Sequence, residues 1–242
     1  MYGSKPSNYS AMKSASSGVQ KGSGKSLAVA GEILFYLSRA GIVAYTGGIP
    51  DSSTSKAFGS NALSLAIAGG DKNSGKYYLS AKQSDGTYAL FVFDTRSKLW
   101  HKEDNTQAVG FAYLDNLYML KSNGEMWIVG NTDSIPQGAA SETSVSSMVE
   151  FCDFIDKDPN KKGVSKLQLR LELEAGATLK ASIKFDSSGT WEEVKTLTAG
   201  KKRSYYLPII PRRTDYYRLK LEGVGMWRLH SLVREVYSGS EL

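Results

Sequence analysis

The chain has a single cysteine and two histidines among 242 residues. One thiol, Cys152, excludes an intrachain disulfide framework and any cysteine-based zinc site, which suits a reducing or redox-indifferent setting. The two imidazoles, His101 and His230, stand in no spacing that makes a ligand pair or a nucleophile and base arrangement, so both are expected as strand or turn residues. Flanked by Phe151 and Phe154, Cys152 is expected to behave as a small buried hydrophobe. No apolar stretch approaches the ~18 residues of a membrane helix, and the opening MYGSKPSNYSAMKSASS is too polar for a signal peptide. The sequence therefore predicts a soluble chain made in the cytoplasm, with no membrane insertion. A long helical period is missing as well, which leaves 24 glycines and 14 tyrosines to be placed in an all-β architecture.

What is present is a repeat. Residues 31–48 (GEILFYLSRAGIVAYTGG) and 75–104 (GKYYLSAKQSDGTYALFVFDTRSKLWHKED) read as irregular copies of one antiparallel unit, and GFAYLDNLYMLKSNGEMWIVGN follows from Gly110. In each, an aromatic or aliphatic run meets a turn and re-enters as a second run. Arg39-Ala40-Gly41, Ser84-Asp85-Gly86 and Ser122-Asn123-Gly124 place glycine where a hairpin needs positive φ. This is the grammar of propeller blades, although an ordinary meander of hairpins shares it. Three units fall short of the ~4 to 8 blades of a closed propeller, so a ring is expected to be completed by other chains or by a longer sequence.

The pattern changes after a break at NTDSIPQGAASETSVSSMVE, residues 131–150. Leu167, Leu169, Leu171 and Leu173 alternate with polar residues, as do Leu179, Ala181, Ile183 and Phe185, and then Tyr217, Leu219 and Leu221. Turns are expected at Ser187-Ser188-Gly189, Ala199-Gly200 and Glu222-Gly223. Half-buried strands at short spacing predict a compact antiparallel β-sandwich. The organisation expected is thus an arm over 1–30, blades over 31–140, a linker over 141–162 and a sandwich over 163–242.

Charge divides between the halves: residues 1–159 hold 14 Lys/Arg against 15 Asp/Glu, and residues 160–242 hold 16 against 9. The surplus is densest at Lys201, Lys202, Arg203, Arg212, Arg213, Arg218 and Lys220, interleaved with Tyr205, Tyr206, Tyr216 and Tyr217. Such a patch is a candidate contact for DNA phosphates or for a neighbouring subunit, and solvated charges at turns are the plainer alternative.

Reactive motifs are hard to assemble. GVQKGSGKSL contains GKS, but a phosphate-binding loop needs glycine where Val19 stands, and no apolar strand precedes it. Adjacent carboxylates such as Glu103-Asp104 and Glu192-Glu193 point to opposite faces of a strand. Asp153, Asp156 and Asp158 lack the spacing of a calcium loop. No catalytic residue, metal or cofactor is expected, and the chain is read as non-enzymatic.

Residues 18–50, residues 76–104 and the closing SYYLPIIPRRTDYYRLKLEGVGMWRLHSLVREVYSGSEL together resemble the C-terminal part of structural proteins of tailed phages and prophages. In pattern they are similar to propeller-bearing tail-nozzle and head-closure proteins. The resemblance implies a virion component synthesised in a host bacterial cytoplasm. It implies a tail or head-to-tail connector position, other phage structural proteins as partners, a homo-oligomeric ring, and nonspecific contact with packaged DNA. The alternative is a carbohydrate- or receptor-binding β module, with Trp100, Trp127 and Trp191 as stacking platforms if they are exposed. A glycosidase would need two carboxylates converging at roughly 5 to 10 Å.

Overall fold

The computed structural model describes residues 5, 17–59, 61–130, 146–155, 162–186, 189–210 and 212–238. The chain is all-β, with sixteen strands and two short 3-10 segments among the described residues. It divides into two compact units, Met1–Gln137 and Gly138–Leu242.

Among the described residues the first unit contains three antiparallel sheets in chain order. The first comprises β1 (Ala28–Ala30), β2 (Ile33–Ser38) and β3 (Gly41–Tyr45). The second comprises β4 (Ser64–Asp71), β5 (Lys76–Lys82), β6 (Tyr88–Asp94) and β7 (Leu99–Asp104). The third comprises β8 (Ala108–Tyr113), β9 (Leu117–Lys121) and β10 (Met126–Val129). Each sheet opens on its innermost strand, and β4 lies between β1 and β8. These are propeller-like blades, and Gly41, Gly86 and Gly124 take the positive φ that their turns require.

The middle blade is covered on both faces. Tyr77, Leu79, Ala81, Phe91 and Phe93 pack toward the first blade with Phe35, Leu37 and Ile42. Tyr78, Leu90 and Val92 pack toward the third with Leu117 and Met119. Burial on both sides explains why β5 and β6 read as near-continuous apolar runs instead of alternating ones. The inner strands come closer still. A Cβ at Gly70 would stand 1.9 Å from the Val29 carbonyl oxygen, and one at Gly69 would stand 2.7 Å from Phe111. Two successive glycines thus let β4 approach a neighbour on each side. Two strands extend the sequence reading: β1 begins within the stretch expected to be an arm, and β4 precedes the second repeat as it was delimited.

The second unit is a sandwich built on β11 (Ser146–Glu150), β12 (Lys162–Phe185), β13 (Glu192–Leu207), β14 (Arg213–Thr214), β15 (Tyr217–Val224) and β16 (Trp227–Ser238). Strand β11 arises inside the stretch expected to be a linker. In one leaf the first half of β12 pairs with β16 and the end of β13. In the other, residues 178–185 of β12 pair with β15 and the start of β13, and β11 adds to the edge of β15. Strands β12 and β13 therefore belong to both leaves, passing between them at register shifts around Leu171, Leu173 and Thr178. Bulges allow strands to switch sheets at a corner. The alternating leucines are buried as expected: Leu167, Leu169, Leu171, Leu179, Leu219 and Leu221 belong to one continuous core.

Two expected turns are not turns. Gly200 pairs with Leu173 inside β13. Gly223 lies inside β15, where a Cβ would stand 2.3 Å from the Trp227 indole nitrogen, so its role is close approach. The reversal comes at Gly225, with φ of 81°.

Candidate functional site

On the leaf formed by β11, β15, β12 and β13, alternation that buries Leu179, Ala181, Leu219 and Leu221 turns the intervening residues outward. Register then sets them in rows. Met148, Glu222, Lys180 and Thr196 lie side by side across four strands, next to a row of Ser146, Val224, Thr178 and Thr198. A depression of about 420 Å³ opens over these rows, lined by Ser146, Met148, Thr178, Lys180, Thr196, Glu222 and Val224. Its hydrogen-bonding groups are hydroxyls, one carboxylate and one ammonium, and its apolar wall is Met148 and Val224.

The charges around it are matched. Lys180 Nζ stands 3.1 Å and Lys220 Nζ 3.3 Å from Glu222 Oε2. The hydrogen bond from Lys180, with a smaller one from Lys220, holds the Glu222 carboxyl below its usual range. Arg218 donates through Nε and Nη2 to Asp153 and through Nη1 to Glu150, the last at 3.0 Å. That contact lowers the Asp153 carboxyl and raises the guanidinium of Arg218. At the other end of the leaf Trp191 meets Lys184 Nζ and Lys220 Nζ at 5.0 and 4.8 Å from its ring centre.

Of the seven basic residues singled out in the sequence, the five whose side chains are described are held by separate sets of partners. Arg218 and Lys220 share the outward face of β15, held by carboxylates as described. Arg212 makes a two-pronged pair with Glu192, at 3.0 and 2.6 Å, and lies 4.4 Å over Phe185. Arg203 lies 4.7 Å over Tyr205 on β13, and Arg213 is exposed at β14. The side chains of Lys201 and Lys202 fall outside the described residues. The described members are distributed over three strands and the turn before β14.

The tryptophans also sort by structure. Trp100 belongs to the first unit's core, against Phe58 and Phe93, and its indole N–H donates to the Thr54 carbonyl at 2.9 Å. Trp127 carries Lys121 Nζ 4.1 Å over its ring and donates to Glu125. Trp227 packs on Gly223 and donates to Ser147 Oγ at 2.8 Å.

Carboxylates of several turns, like the described ones named in the sequence, are engaged by neighbouring groups. Asp51, Asp71, Asp85, Asp94 and Asp104 each accept the backbone N–H two residues on, at 2.7 to 2.9 Å, locking turns. Glu103 meets His101 at 2.9 Å and Glu172 meets His230 at 3.1 Å. Glu193 accepts from Thr196 Oγ1. Asp153 holds Arg218, while Asp156 and Asp158 lie outside the described residues. Cys152 corrects an expectation: it is exposed, because the chain turns Phe151 and Phe154 toward the core and leaves the thiol facing out. Among the described residues no group of three or more His, Cys, Asp or Glu is placed to hold a metal, and no helix is long and apolar enough to cross a membrane.

The groove residues Thr178, Lys180 and Thr196 were not singled out in the sequence, and Glu222 was read only as part of a turn. Their alternation with buried neighbours marks them as outward. Which strands lie beside each other, and hence the rows, depends on long-range pairing.

No protein-family model matches the chain, and no curated protein matches it. Among solved structures it is similar to an exo-β-1,3-galactanase of Phanerochaete chrysosporium. A variant of that enzyme with β-1,3-galactotriose is 12% identical, covering 84% of this chain and 65% of that one, with a TM-score of 0.25. The form with galactose is 12% identical over 79% and 64%, with a TM-score of 0.23. A structure described as a glycoside hydrolase is 12% identical over 84% and 66%, with a TM-score of 0.19. The chain thus spans just under two thirds of each of these proteins. The expectation of a non-enzymatic chain draws no support from these structures, which are themselves glycoside hydrolases. At these TM-scores the likeness assigns neither a site nor an activity.

Proposed function

We propose that the second unit is a carbohydrate-binding β module whose ligand lies in the depression over β11, β15, β12 and β13. The observation that carries this reading is the composition of a shallow site on a rigid sheet. Thr178, Thr196 and Ser146 offer hydroxyls, and Lys180 and Glu222 stand 3.1 Å apart. Met148 and Val224 supply an apolar wall. A sugar hydroxyl both donates and accepts, so it can bridge the Glu222 carboxylate and the Lys180 ammonium at once, while the C–H face of the ring rests on Met148. Both charged partners reach solvent, so their donors and acceptors are accessible without unfolding the leaf. The groove, and not a tryptophan, is the platform, since Trp191 is engaged by Lys184 and Lys220. The expected virion role draws no support from the comparisons.

Calorimetric titration of the full chain with a panel of neutral and acidic oligosaccharides tests the reading. Binding is expected, weakened about tenfold or more by Glu222→Gln and by the pair Thr178→Ala with Thr196→Ala, the loss of one or two hydrogen bonds each. The thermal transition is expected to stay in place because these residues face solvent. Absence of binding to every saccharide at millimolar concentration, or binding untouched by both variants, would overturn it.

A further inference from the structure

The three blades of the first unit form an open arc whose two ends are apolar. The register places Val29, Leu34 and Tyr45 in one row on the face of the first blade turned away from the second. Val29 is 49% and Tyr45 36% exposed. On the third blade, Leu120 pairs with Met126, and Tyr118 lies one step along the same face, again turned away from the second blade. Leu120 is 42% and Met126 71% exposed. Inside the arc, faces of the same kind are buried blade against blade, and these contacts form the cores around Tyr77 and Tyr78. The interface that joins blade to blade is therefore established within the chain, and each end of the arc presents another half of it.

We infer that the occupant of these ends is a second copy of the chain, the third blade of each copy packing on the first blade of the other. Three blades fall below the ~4 to 8 that close a propeller, and two arcs give six, inside that range. A two-fold axis along the ring makes both junctions equivalent, so both apolar ends of both copies are covered and nothing is left to propagate a filament. A pairing of third blade with third blade would leave both first-blade faces exposed. Exposed rows of large apolar residues mark such contact surfaces.

Light scattering on the full chain at tens of micromolar tests this arrangement. The expected mass is twice 26.4 kDa. Leu120→Glu with Met126→Glu, and separately Val29→Glu, are each expected to halve the mass, and circular dichroism is expected to show unchanged strand content. The dependence on both faces distinguishes the proposed junction from a pairing of like blades, in which Val29→Glu would leave the mass unchanged. A monomeric parent chain, a mass other than twofold, or a twofold mass that survives either variant would overturn the inference. The readout does not involve the groove of the second unit, so failure here leaves the saccharide reading standing, and the reverse holds.

Discussion

The role of a glycine depends on what its missing side chain makes room for, and this chain uses glycine in two distinct ways. At Gly41, Gly86 and Gly124 the backbone takes positive φ, which short hairpin turns announce in sequence. At Gly69, Gly70 and Gly223 there is no such φ, and the need is space. That difference explains why the hairpin turns were legible and why Gly223 was mistaken for one. Gly70→Ala places a Cβ against a backbone oxygen that cannot rotate away, and a destabilisation of about 3 kcal/mol is expected, at the upper end for overpacking. Gly110→Ala is the matched control: nothing lies within 4 Å of its added Cβ. That variant is expected to be neutral or to gain about 0.5 kcal/mol, since alanine loses less freedom in a strand. Denaturant unfolding of the two variants measures both values. A similar loss of meaning befell the basic residues: Arg218 is held by Glu150 and Asp153 and Arg212 by Glu192, all from distant positions in the chain.

Among elements, the outer strands of the blades were readable, and of the innermost strands only β8 was, through its GFAY run. Strands β2, β5, β6 and β9 carry large side chains in recognisable runs. Strands β1, with sequence AVA, and β4, ending AIAGGD, are crowded by neighbouring blades and hold small residues, so the hydrophobic signal fades where packing is tightest. In the second unit the leucine alternation revealed the strands but not that the two leucine runs of β12 are one strand continuing from leaf to leaf. Asp51, Asp85 and Asp94 accept hydrogen bonds from nearby backbone and hydroxyl groups, which hold their carboxyls below the usual range. A carboxyl depressed in the folded state contributes stability above its unfolded pKa and loses that contribution as pH falls through the folded value. The midpoint of unfolding is therefore expected to fall on acidification below about pH 4, near the ordinary aspartate value. Replacing all three by asparagine, which keeps a side-chain acceptor without a charge, is expected to flatten that decline in a pH series of thermal melts.

At the scale of the whole molecule, the two units hold separate cores. Tyr77 and Phe35 anchor one. Leu169, Leu179 and Leu219 anchor the other. Calorimetry is expected to resolve two transitions. Leu169→Ala, at a position with no exposure, is expected to lower one of them by about 3 kcal/mol, the range for truncating a buried leucine. Gly70→Ala is expected to move only the other. The change from blades to sandwich was visible in sequence because the hydrophobic period and charge balance both shift. The candidate groove was not, because it is a product of pairing: Ser146 and Met148 reach it only when β11 joins β15, some seventy residues later in the chain.

That β12 and β13 run through both leaves also has a mechanical meaning. Tension applied along β12 loads its ladders with β13, β15 and β16 in shear, so many hydrogen bonds must yield together and none can be unzipped singly. The corner between the leaves is continuous chain, crossed by β12 and β13 alike. Extension of the second unit along β12 is therefore expected to need more force than extension across its ladders.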